Sequence, residues 1–139
     1  MPGYDVTDLK WTRRSYSAWP AYGQSKLCNV LYAKGLAKRL EGTPVSAFAL
    51  HPGVIRTNLQ RHMGGCLRAM VAAFGFACKS VPQGAATTVW AATAPELEGH
   101  SGAYLADCRI DKPNKLADKP EEAEKLWAAT EELVRSVGF

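Results

Sequence analysis

Helical and strand-like patterns alternate along the chain, and this alternation is the strongest constraint that the sequence places on the fold. The pattern predicts five elements in order: a helix over about 21–40, a strand at 45–50, a helix from Ser80 to Pro95, a strand at 103–106 and a helix over about 120–137. Ser80 and Gln83 have the spacing of a helix capping box. Strands separated by helices are typical of a parallel sheet in an α/β fold, here with only two strands.

Composition places the chain among ordinary globular proteins. Of the 139 residues, 47% are hydrophobic and 22% charged, and the net charge of +4 is spread without a basic run, so nucleic-acid binding is not predicted. The four cysteines lack the spacing of metal ligands, so no metal site is predicted, and they indicate a reducing, intracellular setting. With no recognisable signal peptide or membrane-spanning stretch, the predicted location is the cytoplasm or the cytoplasmic face of a membrane.

Tyr22 and Lys26 are the candidate catalytic residues. Residues four apart on a helix share one face, with Cβ atoms about 5–6 Å apart. A nearby cation stabilises a phenolate and lowers the tyrosine pKa from its ordinary value of about 10, towards the range useful for general acid/base catalysis. The spacing alone is also common on ordinary helix surfaces, so it needs support from a second segment.

That support comes from the segment His51-Pro52-Gly53-Val54-Ile55-Arg56-Thr57, which follows the first predicted strand. Pro52 and Gly53 require a turn there. Ligands of open α/β sheets bind at the carboxyl ends of the strands. The turn therefore favours a functional site over an ordinary helix surface.

Residues 59–79 combine apolar side chains with glycines, and three interpretations stay open for them. They could form a mobile helical flap over an apolar site. They could equally form a plain amphipathic helix packed on the core. The third interpretation is shallow insertion into a membrane surface, with Arg61, Arg68 and Lys79 at the interface.

The motifs at 22–26 and 51–57 resemble the short-chain dehydrogenase/reductase family. More narrowly, residues 21–27, 51–53 and 95–102 are similar to its retinol dehydrogenase branch, with WW-domain oxidoreductases in the same neighbourhood. The resemblance runs from about Asp8 to Leu133. It implies the C-terminal part of a Rossmann-like, doubly wound parallel sheet, with two strands and about four helices.

The resemblance implies a role for each matching residue. Tyr22 would be the catalytic acid/base and would contact the cofactor, while Lys26 would assist it and hydrogen-bond the nicotinamide ribose. Pro52 and Gly53 would shape the turn beside the nicotinamide ring. Residues 59–79 would lie on the substrate side.

Two further positions would touch the cofactor. The backbone of Ile55 and the hydroxyl of Thr57 would contact the carboxamide or a nearby phosphate, although a hydroxyl at Thr57 could simply cap a helix. Ser25 is better explained as a packing or back-bonding serine.

Two of the family's expected parts have no match in the chain. There is no G-x-x-x-G-x-G phosphate turn, and Ser15 and Ser17 lie too near Tyr22 to be the serine of the strand before its helix. Residues 1–139 are therefore predicted to be a single partial domain, the C-terminal half of a short-chain dehydrogenase/reductase domain without its N-terminal dinucleotide-binding half.

The predicted function is that of an oxidoreductase which transfers hydride between NAD(P) and an alcohol or carbonyl substrate, retinoid- or steroid-like in view of the apolar 59–79 segment. The isolated chain is predicted to be inactive, and the retinol-type resemblance favours NADP over NAD. The alternative is a non-catalytic truncated form that binds a partner or forms a homodimer. A third interpretation is a sequence fragment with no independent role.

Overall fold

In the computed structural model, the described residues are 4–55 and 78–138. Within them lie three α-helices and a three-stranded sheet: α1 (Ala18–Arg39), β1 (Ala49–His51), α2 (Val81–Thr93), β2 (Tyr104–Ala106), β3 (Arg109–Asp111) and α3 (Pro120–Ser136). Three 3₁₀ turns accompany them at Val6–Asp8, Pro95–Leu97 and Lys115–Asp118. The fourth predicted helix falls within 59–79, nearly all of which lies outside the described residues.

The sheet has the predicted parallel pairing. β1 and β2 run parallel, with Leu50 opposite Leu105, and α2 connects them along the chain. This arrangement confirms the α/β class. β1 is shorter and later than the predicted 45–50 strand, because Ala47 hydrogen-bonds to the turn around Gly102 instead of to a strand.

β3 is a third strand, in addition to the two predicted from the sequence. It pairs antiparallel with β2 through a two-residue turn, in which Asp107 and Cys108 have φ values of 51° and 52°. Two left-handed residues suit the twist of a tight hairpin. Asp-Cys is an uncommon pair for such a turn, which is why the sequence pattern did not reveal it.

The core lies between α1 and α3. Leu27 and Leu31 of α1 pack with Ala123 and Leu126 of α3, and Ala117 of the last 3₁₀ turn completes the cluster. Residues 27 and 31 are one helical turn apart, so both face the same neighbour. This packing fixes α1 along its length and leaves its opposite face, which carries Tyr22, exposed.

The helix boundaries follow local signals. Ser80 caps α2 with the full capping box that its spacing with Gln83 predicts. Lys119 is the N-cap residue of α3, and the preceding Asp118 forms an ion pair with Lys34 at 3.0 Å. In the part of the chain that the structure describes, no helix is both long and apolar enough to span a membrane.

Candidate active site

Tyr22 and Lys26 lie together near the start of α1, as their spacing predicts. The ammonium of Lys26 is 5.3 Å from the centroid of the Tyr22 ring, and both side chains are exposed, Tyr22 by 58%. Trp19 meets the Tyr22 ring edge-on, with centroids 6.4 Å apart. An exposed phenol and ammonium on one face could hold the hydroxyls of a bound nucleoside and exchange a proton with a reacting oxygen.

Ser25 lies between Tyr22 and Lys26 in the sequence, and its side chain bonds to the helix backbone. Its hydroxyl donates to the backbone carbonyl of Tyr22 at 2.8 Å. This is the back-bonding arrangement expected for a helical serine. The Ser25 hydroxyl therefore serves as a hydrogen-bond donor to the backbone of its own helix.

Gln24 ties the start of α1 to the preceding loop, a role that the sequence reading missed. Although polar, its side chain is only 4% exposed. Its carbonyl oxygen accepts hydrogen bonds from the backbone nitrogen of Asp5 at 3.1 Å and from the guanidinium of Arg14 at 2.5 Å. The helical turn that carries Tyr22 is thus fixed to residues 5–14.

Asp8 holds that loop in shape and was also missed. It is 3% exposed, and its carboxylate accepts from the backbone nitrogens of Thr12 at 2.7 Å and Arg13 at 3.2 Å, with Arg14 Nε at 3.4 Å. Burial alone would raise the pKa of Asp8, but these hydrogen bonds and the Arg14 charge outweigh it and hold the pKa below its ordinary value. A lone aspartate in a polar stretch gives no sequence signal for this role.

Pro52 and Gly53 form the predicted turn where β1 ends. Gly53 has a φ of +85°, a conformation that favours glycine, and its backbone nitrogen donates to Nδ1 of His51 at 3.0 Å. A Cβ added at Gly53 would lie 2.8 Å from Cδ and 2.9 Å from Cε of Lys79. The lysine side chain therefore lies directly across the turn.

Ile55 pairs with Lys79 in an isolated parallel bridge, next to a 2.8 Å hydrogen bond from Lys79 N to Val54 O. Its side chain packs against Gly84 at the start of α2, where an added Cβ would overlap Ile55 Cδ1. Thr57, the other residue expected to contact the cofactor, lies outside the described residues.

Lys79 extends from Gly53 to the turn between β2 and β3, where its ammonium forms an ion pair with Asp107. The hydrogen bond from Lys79 and its charge hold the pKa of Asp107 below its ordinary value. The turn is anchored in addition by Cys108, whose backbone nitrogen donates to Thr87 Oγ1 at 3.3 Å. Residues 53, 79 and 107 thus meet at one end of the sheet.

The candidate residues therefore form two local groups. Tyr22 and Lys26 form one group on α1. Pro52, Gly53 and Ile55 form the other after β1, and α1 and β1 are in contact.

A groove of about 430 Å³ on another side of α1 is lined by Leu9, Trp11, Ser25, Cys28 and Tyr32, among others. Burial raises the pKa of the Cys28 thiol in that groove, which makes it less reactive.

Metal-binding chemistry finds no support in residues 4–55 and 78–138. Within those ranges, no group of three or more His, Cys, Asp or Glu residues is arranged to hold a metal ion.

Curated relatives match most of the chain. It is 42% identical over 124 residues to short-chain dehydrogenase TIC 32 B, chloroplastic, of Brassica napus, a match that covers 88% of this chain and 39% of the relative. It is 41% identical over 132 residues to the WW domain-containing oxidoreductase of Pongo abelii, covering 94% of this chain and 32% of the relative. Human retinol dehydrogenase 14 is 39% identical over 126 residues, a match that covers 88% of this chain and 38% of the relative.

A solved structure also matches most of the chain. A crystal structure of an uncharacterized protein from Mycobacterium paratuberculosis is 30% identical, with a TM-score of 0.67 over 95% of this chain and 45% of that one. No family model matches the chain. The resemblance to short-chain dehydrogenases, in their retinol dehydrogenase and WW-domain oxidoreductase branch, is confirmed, and the chain spans less than half the length of these relatives.

Proposed function

We propose that this chain is the C-terminal half of a short-chain dehydrogenase/reductase domain, whose reaction is hydride transfer between NAD(P) and an alcohol or carbonyl substrate. The observation that carries the proposal is the exposed Tyr22–Lys26 pair on α1. The match to short-chain dehydrogenases and oxidoreductases over most of the chain supports it. Apolar substrates such as retinoids or steroids, and NADP in preference to NAD, are part of the proposal.

The donors present fit the nicotinamide end of the cofactor. Tyr22 and Lys26 offer a hydroxyl and an ammonium on one exposed face, and the left-handed Gly53 presents backbone without a side chain at the end of β1. When bound, the nicotinamide would give or accept the hydride. Pro52, Ile55 and Thr57 would line the same end of the cofactor.

Each residue of the pair has a distinct task. Tyr22 would donate a proton to the substrate carbonyl oxygen in reduction and take it back in oxidation. The positive charge of Lys26 would stabilise the phenolate that remains after the donation, and its N–H groups would orient the ribose. Acid/base catalysis of this kind typically contributes about 10²–10⁴-fold to the rate.

A chimera tests the proposal directly. In it, this chain replaces the matching part of the Brassica napus relative, and NAD- and NADP-dependent oxidation of an alcohol panel is measured. Tyr22→Phe should lower kcat/KM by about 10²–10⁴-fold, whereas Tyr32→Phe, on the same helix but stacked on Trp127, should not. A chimera that binds cofactor and keeps its rate in Tyr22→Phe would contradict the assignment.

The isolated chain is proposed to be inactive, because it has no Gly-rich phosphate turn to hold the rest of the dinucleotide. Purified chain assayed with both cofactors and the same alcohols should show no turnover. Turnover that disappears in Tyr22→Phe would overturn this part of the proposal.

A second candidate function is a non-catalytic, dimerising or partner-binding module. Several large side chains are well exposed at the start of α1 and on α2, including Trp19 at 74% and Val89 at 58%. β1 also lies at the edge of the described sheet, and an edge strand can pair with another chain. Light scattering after size exclusion should give a dimer that Val89→Ser weakens; a stable monomer at all concentrations would count against this function.

A further inference from the structure

Lys79 joins three separate pieces of the chain at one end of the sheet. Its backbone is bonded to Val54 and paired with Ile55, its methylenes lie across Gly53, and its ammonium reaches Asp107. Only 29% of the Lys79 side chain is exposed, although lysines are usually among the most exposed residues. The side chain is therefore held in one place by contacts at both of its ends.

The two partners of Lys79 are themselves fixed. Gly53 is held by its hydrogen bond to His51, and Asp107 belongs to a tight turn that is bonded to the buried Thr87 of α2. The ion pair therefore connects a turn that α2 anchors with the turn that ends β1. Without the charge at either end, Lys79 would keep its backbone contacts to Val54 and Ile55, but its ammonium end would lose the contact to Asp107.

We propose that Lys79 and Asp107 are positioning residues, whose ion pair fixes the Pro52–Gly53 peptide in the orientation that the nicotinamide end of the cofactor requires. The contacts of residues 53, 79 and 107 support the effect of the ion pair on the turn. The effect on cofactor binding rests in addition on the proposed function. Neither residue touches the reacting atoms. Both act through the backbone of Gly53.

The first test measures the turn itself, without any cofactor. In ¹⁵N-labelled chain, Lys79→Met keeps the methylenes and removes the charge, and Asp107→Asn removes the other charge. Each variant should shift the Gly53 amide and His51 imidazole resonances and speed hydrogen exchange at Gly53 about three- to fivefold, the upper range for a partly exposed ion pair. Lys79→Arg, which keeps the charge, should restore most of the protection.

A matched control separates this effect from general loss of charge. Lys125→Met removes an ion pair with Glu122 on α3, at 2.7 Å and far in sequence from the turn. It should leave the Gly53 and His51 resonances unchanged. If Lys79→Met and Asp107→Asn also leave them unchanged, or if Lys125→Met moves them equally, the inference is wrong.

The second test uses the chimera described above. Lys79→Met and Asp107→Asn should raise KM for the cofactor about three- to fivefold while kcat changes little, since the reacting groups stay in place. If the turn loosens but KM is unchanged, the positioning role is wrong. If Tyr22→Phe leaves the chimera fully active, the proposed function fails, and the magnetic resonance result still decides whether the pair holds the turn.

Discussion

The ammonium of Lys26 lies 5.3 Å from the centroid of the Tyr22 ring, on the solvent-facing side of α1. The two residues are one helical turn apart and face away from the buried cluster around Leu31. Two such groups on a free surface contribute little to folding, because water solvates them nearly as well in the unfolded chain. The pair therefore contributes little to the free energy of folding.

The first prediction is that this pair is nearly neutral for stability. Tyr22→Phe and Lys26→Met should each change the free energy of unfolding by less than about 1 kcal/mol, the range for exposed cation–π contacts. Leu31→Ala, at a fully buried site, should cost about 2–5 kcal/mol by comparison. Urea denaturation measures all three, and a cost for Tyr22→Phe that approaches that of Leu31→Ala would show a structural role.

The second prediction concerns the contact between Ile55 and Gly84. Gly84→Ala should destabilise the chain by about 1–3 kcal/mol, because the new methyl group overlaps the Ile55 side chain and something must move. Ile55→Ala removes the obstacle, so the second substitution should cost less in that background. A double-mutant cycle measures this coupling, and purely additive effects would contradict the packing.

The third prediction is a pH dependence from Asp8. Its pKa is lowered in the folded chain, so the stability it contributes is present above its ordinary value of 3.8 and is lost as pH falls through the lower, folded value. Asp8→Asn should therefore destabilise the chain at pH 7, and the difference from wild type should vanish in strong acid. Thermal unfolding across pH measures it.

Asp118→Asn is the control for that experiment, since it removes an exposed ion pair with Lys34 and should cost little. If Asp8→Asn were as mild at pH 7 as Asp118→Asn, the hydrogen bonds around Asp8 would not have the role described.

The fourth prediction concerns Tyr4 at high pH. Burial, and then the negative charges of Cys28, Glu122 and Asp5, raise the pKa of Tyr4 to about 12. The stability from this group is complete below the ordinary pKa of 10 and is lost as pH rises through 12, because only the unfolded chain ionises readily in between. Tyr4→Phe should therefore unfold at higher pH than wild type, whereas Tyr16→Phe, at an exposed side chain, should not.

Local patterns predicted the parts of this fold that depend on neighbours in sequence. The α1 helix, the capping box at Ser80 and the Tyr22–Lys26 spacing all involve residues at most four positions apart or a single amphipathic period. The parallel pairing of β1 with β2 followed from the alternation of elements. Each of these features is visible in the sequence as a local pattern or as the order of the elements.

The features that were missed depend on contacts between distant residues. Gln24 accepts from Asp5, and Lys79 lies across Gly53, 26 positions earlier. The polar side chains involved look like ordinary surface residues in sequence, because only the folded backbone brings their partners near. β3 was missed for a different reason: its three residues are all exposed, and a single apolar residue among them is too short a pattern to predict a strand.

The bridge between Ile55 and Lys79 also has an evolutionary consequence. Ile55 and Lys79 are paired backbone to backbone although they are 24 positions apart in the sequence. Doubling the number of residues that join two fixed positions adds only about 0.6 kcal/mol of closure entropy. We therefore expect related proteins to differ in the number of residues between these two positions while the pairing itself is kept.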